Sequence, residues 1–187
     1  MPVNLIRINI IYVRNKLTYR EYILMKGDDG MQMKTGVEQS LYAILILNLL
    51  PDRAVLPGEA ISQQLHASPT YTQKILRKLV SADLITSVPG VKGGFKLNKK
   101  PEEICVYDIY LAIEGKQSLY SPSGVFHDML NIEEDRDCAL IALMTEAENS
   151  WKSILKRETV ASLYEGINKD YNPKVQALQE WLKVKMV

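Results

Sequence analysis

Apolar positions crowd the stretch from Lys34 to Leu50, a pattern that predicts a buried helix ended by Pro51-Asp52. A shorter amphipathic stretch follows over residues 57–65, with Pro57 in its first turn. There Ala60 is small, Ile61 and Leu65 share a face, and Ser62, Gln63 and Gln64 are expected to face water. His66 falls in the next turn, where a positive φ is often needed and His is better tolerated than most residues. Ser68 offers an N-cap and Pro69 the first helical position of a third helix. Its apolar positions are Ile75, Leu76, Leu79, Val80 and Leu84; the opposite face carries Thr70, Gln73, Lys74, Arg77 and Ser81. The period then changes to that of strands, Ile85–Val88 and Phe95–Leu97, joined by Pro89-Gly90-Val91-Lys92-Gly93-Gly94.

Beyond this hairpin the pattern predicts a helix over residues 103–115, with Ile104, Val106, Ile109 and Ile113 apolar and Gly115 as its stop. Residues 116–135 hold Ser, Pro, Gly, Asn and acids and read as a linker loop. A long helix is expected from about Arg136 to Arg157. Along it Leu140, Met144, Ala147, Trp151 and Ile154 recur at spacings 4, 3, 4, 3, a narrow seam of coiled-coil type. Thr159 is placed to cap a short helix ending at Gly166, and Pro173 to open a last one with Val175, Leu178, Trp181 and Leu182. Residues 1–33 differ from the rest. Ile6, Ile8, Ile10 and Tyr12 alternate as in a strand, and Gly27-Asp28-Asp29-Gly30 reads as a turn. Two readings stand: upstream sequence before a start at Met31 or Met33, or an arm that adds an edge strand or reaches a groove. The expected organisation is therefore an N-terminal extension (1–33), a first domain (34–115), a linker (116–135) and C-terminal helices (136–187).

Composition changes the picture little. At 187 residues and 47% hydrophobic content the chain has enough apolar matter for a core. Net charge is +1, but residues 34–100 carry +5 and residues 101–150 carry −9. Chance sampling of surface charge gives such blocks too; a nucleic-acid-facing half joined to a half facing elsewhere also fits. The two cysteines, Cys105 and Cys138, lie 33 residues apart with no CxxC, which suits a reducing cytoplasm. The longest apolar run, Leu41 to Leu50, is too short to cross a bilayer. No membrane partner is expected.

A short helix, a tight turn, a second helix and a Gly-rich hairpin in this order make a winged helix-turn-helix. The fold class expected is mainly α with a small β-hairpin wing, plus a long C-terminal dimerisation helix. A helix that enters the major groove must show short polar and basic side chains near its N-terminus. Ser68, Thr70, Tyr71, Gln73, Lys74 and Arg77 are the candidates, with Gln73 suited to adenine and Lys74 or Arg77 to phosphate or guanine. On the hairpin, Gly93 and Gly94 permit close backbone approach, and Lys92 and Lys96 supply cations. An ordinary solvated helix surface carries similar residues; the basic hairpin beside it is what points to DNA. GVKGG is not a phosphate loop, because a strand follows it rather than a helix. There is no Ser/His/Asp set, metal-spaced cluster or paired carboxylates, so an enzyme is not expected, nor a metal or cofactor.

These residues resemble the Rrf-two family of bacterial winged-helix transcription regulators over Met33–Gly166. The likeness rests on LYAILIL, AISQQLHASPTYTQKILRKLVSADLITSV, GVKGGFKL and EEICVYDIYLAIEG. It implies a homodimeric repressor on a palindromic double-stranded operator, with long helices crossing between subunits. Leu140, Met144, Ala147, Trp151 and Ile154 would then form the dimer seam. Two departures stand out. The wing begins Pro89-Gly90 where the family commonly has Arg-Gly. The stretch Lys116–Asp137 lacks the closely spaced cysteines of cluster-binding members, and Cys138 alone corresponds to the last of them. A [2Fe–2S] cluster normally takes four ligands, so none is expected. Cys138 at a helix start is a candidate redox sensor, opposed by Glu133, Glu134, Asp135 and Asp137. Cys105 reads as a packed core thiol. A small-molecule or protein effector could meet a pocket lined by Tyr107, Tyr110, Tyr120 and Trp151, although such aromatics are more often core. A winged module that binds proteins instead of DNA is the competing reading.

Overall fold

The computed structural model describes residues 34–116, 118–131 and 139–187. The expectations for residues 1–33 and for Cys138 lie outside them.

Helix α1 (Thr35–Asn48) buries Val37, Ala43, Ile44, Leu45, Ile46 and Leu47, which explains its dense apolar sequence. Helix α3 (Pro69–Ser81) packs on it and on helix α2 (Gly58–Gln64). Pro57 stands just before α2 rather than inside it. Ser62 departs from expectation: it is 2% exposed, and its hydroxyl donates to the Glu59 carbonyl at 2.8 Å. A short side chain bonded to its own helix can be buried where the flanking glutamines cannot. His66 holds the expected left-handed turn, with φ 50°. Ser68 caps α3, its Oγ accepting the Tyr71 N–H at 3.3 Å. Ile75, Leu76 and Leu79 deliver α3 into the core beside Ile44, Leu56 and Ile61.

Strands β1 (Ile85–Val88) and β2 (Gly94–Leu97) pair antiparallel, Ile85 opposite Leu97 and Val88 opposite Gly94. Two further backbone segments extend this hairpin. Leu56 exchanges both hydrogen bonds with Phe95, at 3.0 and 2.9 Å. On its far side Val55 exchanges both with Val187, at 3.0 and 2.9 Å. The last residue of the sequence thus lies along the base of the hairpin.

Residues 101–103 form one 3-10 turn, and helix α4 (Val106–Glu114) starts later than its apolar pattern suggests. The reason is tertiary. Ile104 and Val106 bracket an extended residue that pairs with the 158–160 turn, through Val106 N–H to Glu158 O and Val160 N–H to Ile104 O, both 2.9 Å. Within the expected linker, residues Val125–Leu130 form a short helix, α5, set between left-handed Gly124 and Asn131. Its apolar residues are exposed, so no buried stripe announced it. Helix α6 (Ala139–Arg157) has no buried residue. Helix α7 (Val160–Lys185) corrects one of the last two expectations. It runs past Gly166 without stopping and breaks at Tyr171 (φ −130°, ψ 27°), so that Pro173 stands at the start of its second half, as expected. The proline removes one helical hydrogen bond, while Val175 and Leu182 remain buried on the far side of the kink, Leu182 within the core of α1.

Candidate nucleic-acid interface

The exposed side of α3 is narrower than its sequence implies. Thr70, Lys74, Arg77 and Ser81 form one exposed row, at the spacing that keeps side chains on a single helix face. Among the described residues neither Lys74 nor Arg77 has an ion-pair partner. The two flanks of that row are engaged with the protein. On one, a side chain on Gly58 would stand 2.8 Å from the Gln73 amide and 3.2 Å from the Phe95 ring, so Gln73 lies over the start of α2 beside the wing. On the other, Tyr71 reaches α1, where a Cβ on Gly36 would meet its hydroxyl at 2.8 Å. Lys78, on the same flank, donates to the Ile113 carbonyl at 2.5 Å, anchoring α3 to the end of α4. Ser68 is exposed, with its oxygen committed to the cap.

The wing is a thin hairpin closed by glycines. Gly93 N–H donates to Gly90 O at 2.9 Å, and Gly90 takes φ 111°, a conformation open to glycine and costly to other residues. A Cβ on Gly93 would stand 2.3 Å from the Val88 carbonyl oxygen. Gly94 is buried, its Cα pressed on Leu56, where a Cβ would come within 2.6 Å of backbone. Gly94 therefore shapes the hairpin from beneath and has no surface to offer a ligand. Lys92 is exposed at the tip and Lys96 half-buried on β2.

Sequence reasoning missed the group that fixes the wing to α3. Asp83, left-handed at φ 60°, accepts from the Asn98 side-chain amide at 2.6 Å, and Asn98 Oδ1 accepts from the Thr86 hydroxyl at 2.6 Å. Three polar residues from the turn, β1 and the segment after β2, with Thr86 half-buried and the other two exposed, thus form one clasp. No local signal marks it, because its partners are 12 and 15 residues apart.

The expected seam on α6 divides. Ile141, Met144, Glu148, Trp151, Lys152 and Leu155 are half-buried on one face. Trp151 packs edge-on against Tyr110, ring centroids 4.7 Å apart, and against Tyr107 at 6.3 Å. Tyr107, Tyr110 and Trp151 thus pack together between α4 and α6, while Tyr120 stands apart from them and lines a cavity with Phe126, Met129 and Leu140. Leu140, Ala147 and Ile154 are exposed and are joined by Leu143 and Ser150 in a second stripe at spacings 3, 4, 3, 4. Leu143, 60% exposed, is the member that the apolar spacing alone does not pick out. Glu148 ties the linker to α6, accepting from the Ser118 hydroxyl at 2.7 Å, the Leu119 N–H at 3.0 Å and the Lys152 ammonium. Lys152, then Ser118 and Leu119, hold its carboxyl down at about 2.

A polar and basic helix row standing beside a glycine-closed basic hairpin defines a winged helix-turn-helix regulator of transcription. The chain belongs to the Rrf2 family: the family model, described as an iron-dependent transcriptional regulator, matches residues 33–166. It is 37% identical over 152 residues to YwgB of Bacillus subtilis (strain 168), named a candidate HTH-type transcriptional regulator, covering 81% of this chain and 95% of that protein. YffB of Lactococcus lactis subsp. lactis (strain IL1403), similarly named, is 34% identical over 154 residues, covering 81% and 97%. Among solved structures, CymR (YrzC), the global cysteine regulator of B. subtilis, superposes with TM-score 0.59 at 22% identity, over 73% of this chain and 98% of that one. IscR of T. potens gives TM-score 0.61 at 19% identity, over 78% and 94%. These structures share the fold. The family's members are regulators and not enzymes.

The family description names iron, but the donor set here does not fit an iron–sulfur cluster. The chain has two cysteines where a cluster normally takes four ligands. Cys105 Sγ is hydrogen-bonded to Asp108 Oδ2 at 3.0 Å, and burial, followed by that bond, pushes its thiol up, away from the thiolate that binds metal. Among the described residues no three His, Cys, Asp or Glu side chains converge as a metal site. No described helix is long and apolar enough to cross a membrane.

Proposed function

We propose that the protein is a cytoplasmic, homodimeric repressor that reads a palindromic operator. Helix α3 lies in the major groove with Thr70, Lys74 and Arg77 towards the bases and phosphates. Lys92 and Lys96 on the wing meet the neighbouring backbone. The carrying observation is the exposed row on α3: its cations stand on a rigid helix and have no ion-pair partner among the described residues. The stripe Leu140–Leu143–Ala147–Ile154 supports pairing of two α6 helices, since a monomer leaves that apolar surface in water. A two-fold dimer would place its recognition helices on half-sites about 34–36 Å apart.

The test is selection of binding sites from random duplex DNA, followed by salt titration of the best site. A palindromic consensus is expected. Lys74→Ala with Arg77→Ala is expected to lower affinity and to flatten the salt slope by about 0.9 for each phosphate that is no longer neutralised. Enrichment of no sequence, or equal binding by the double variant, would falsify the reading.

A further inference from the structure

Val91 is the most exposed large apolar side chain among the described residues, at 107%. It occupies the apex of the wing, flanked by Gly90 and by Lys92-Gly93. Its neighbours hold the apex thin and fixed. Gly90 accepts the Gly93 N–H across the turn at 2.9 Å, Gly90 is left-handed, and Gly93 has no room for a Cβ against Val88. An isopropyl group held in water contributes nothing to the core. Its free energy is recovered only when something covers it.

We propose that Val91 is a base-discriminating residue of the wing, entering the DNA minor groove and selecting A·T over G·C pairs. This rests on the reading of the protein as an operator-binding regulator. With α3 in the major groove, the adjacent hairpin meets the next stretch of backbone and groove. The minor groove is about 6 Å wide, which excludes a two-stranded ribbon but admits one side chain at a turn apex with little bulk beside it. Gly90 supplies that clearance, and Lys92 is placed for the phosphates on the rim. An aliphatic group has no hydrogen-bonding atom, so it cannot read a base by donor or acceptor. It reads by what it buries. The minor-groove edge of A·T shows only acceptors, whereas G·C adds the guanine 2-amino donor in the middle of the groove floor. Valine covers that amino group without accepting from it, leaving a buried donor unpaired. Proteins that enter this groove often do so with apolar side chains.

The experiment uses the full chain and an operator obtained by selection, with the wing's positions on it located by footprinting. Each A·T pair there is replaced by G·C and, separately, by inosine·cytosine, which keeps the major-groove edge of G·C but lacks the 2-amino group. The expected results are a loss of about fivefold or more for G·C and, for inosine·cytosine, binding restored to near the A·T level. Val91→Ala should compress the A·T to G·C ratio towards one while leaving the thermal midpoint unchanged. Inosine·cytosine binding as weakly as G·C, or Val91→Ala keeping the full ratio, overturns the proposal while leaving operator binding intact. Failure of the wild-type chain to select any sequence overturns the operator reading, and this proposal with it.

Discussion

Gly93 has no space for a side chain. Its would-be Cβ lies 2.3 Å from a backbone oxygen of the same hairpin, an atom that cannot swing aside. Gly93→Ala must therefore open the turn that holds Val91 and Lys92 outward. The expected cost is about 1–3 kcal/mol of local strain, read as weaker operator binding with an unchanged far-ultraviolet helix signal. An unaltered affinity would mean that the wing tip takes no part. Legibility at this scale follows the same physics. Ser68, Pro69, His66 and the wing glycines are readable because each acts through its own backbone. The buried Ser62 and the Asp83–Asn98–Thr86 clasp are not, because their partners or surroundings come from elsewhere in the fold.

Helix α6 has one face against α4 and one against water, and two apolar spacings overlap along it. The 4, 3, 4, 3 series mixes both faces, and only the position of Tyr107 and Tyr110 separates them. In the same way, Gly166 reads as a helix stop, yet α7 runs on to the break at Tyr171, just before Pro173, and buries Val175 and Leu182 beyond it. On the open face, Leu143→Glu places a carboxylate at the centre of the stripe. If α6 pairs, dimerisation should weaken by a hundredfold or more, taking about 1.4 kcal/mol per tenfold, as seen by analytical ultracentrifugation. Retention of the oligomeric state would exclude this stripe. On the inner face, Glu148 makes a pH prediction. Its carboxyl falls to about 2 from an ordinary 4.5 when folded. Its bonds to Ser118 and Leu119 are therefore fully present above pH 4.5 and are lost as pH falls towards 2. Protection of the Leu119 amide, its exchange relative to that of an unstructured amide at the same pH, should fall over that window. Glu148→Gln, which does not titrate, should remove that pH dependence of protection.

At the scale of the whole molecule, the basic block of residues 34–100 contains α3 and the wing, while the acidic block of residues 101–150 contains α4 and most of α6. An anionic duplex is thereby attracted at one end of the chain's charge pattern and repelled at the other, so association should fall steeply with salt. A second molecule-wide link is the pairing of Val55 with Val187. Removing Met186 and Val187 deletes two backbone hydrogen bonds at the foot of the wing. The expected loss is about 1–2 kcal/mol of thermal stability, with faster amide exchange at Phe95 and Val55. Equal protection in the shortened chain would show the pairing to be incidental.

That same pairing sets a clock on the protein's birth. Val55 leaves the ribosome early, yet the strand beside it is residue 187, more than a hundred positions later. At about 5–20 residues per second, translation separates the two by roughly 7–26 seconds. Through that interval the nascent chain can collapse around α1, α2 and α3, but the edge at Val55 stays unpaired and open to other strands. Closure of this edge therefore waits on a segment made more than a hundred positions after the residue it covers.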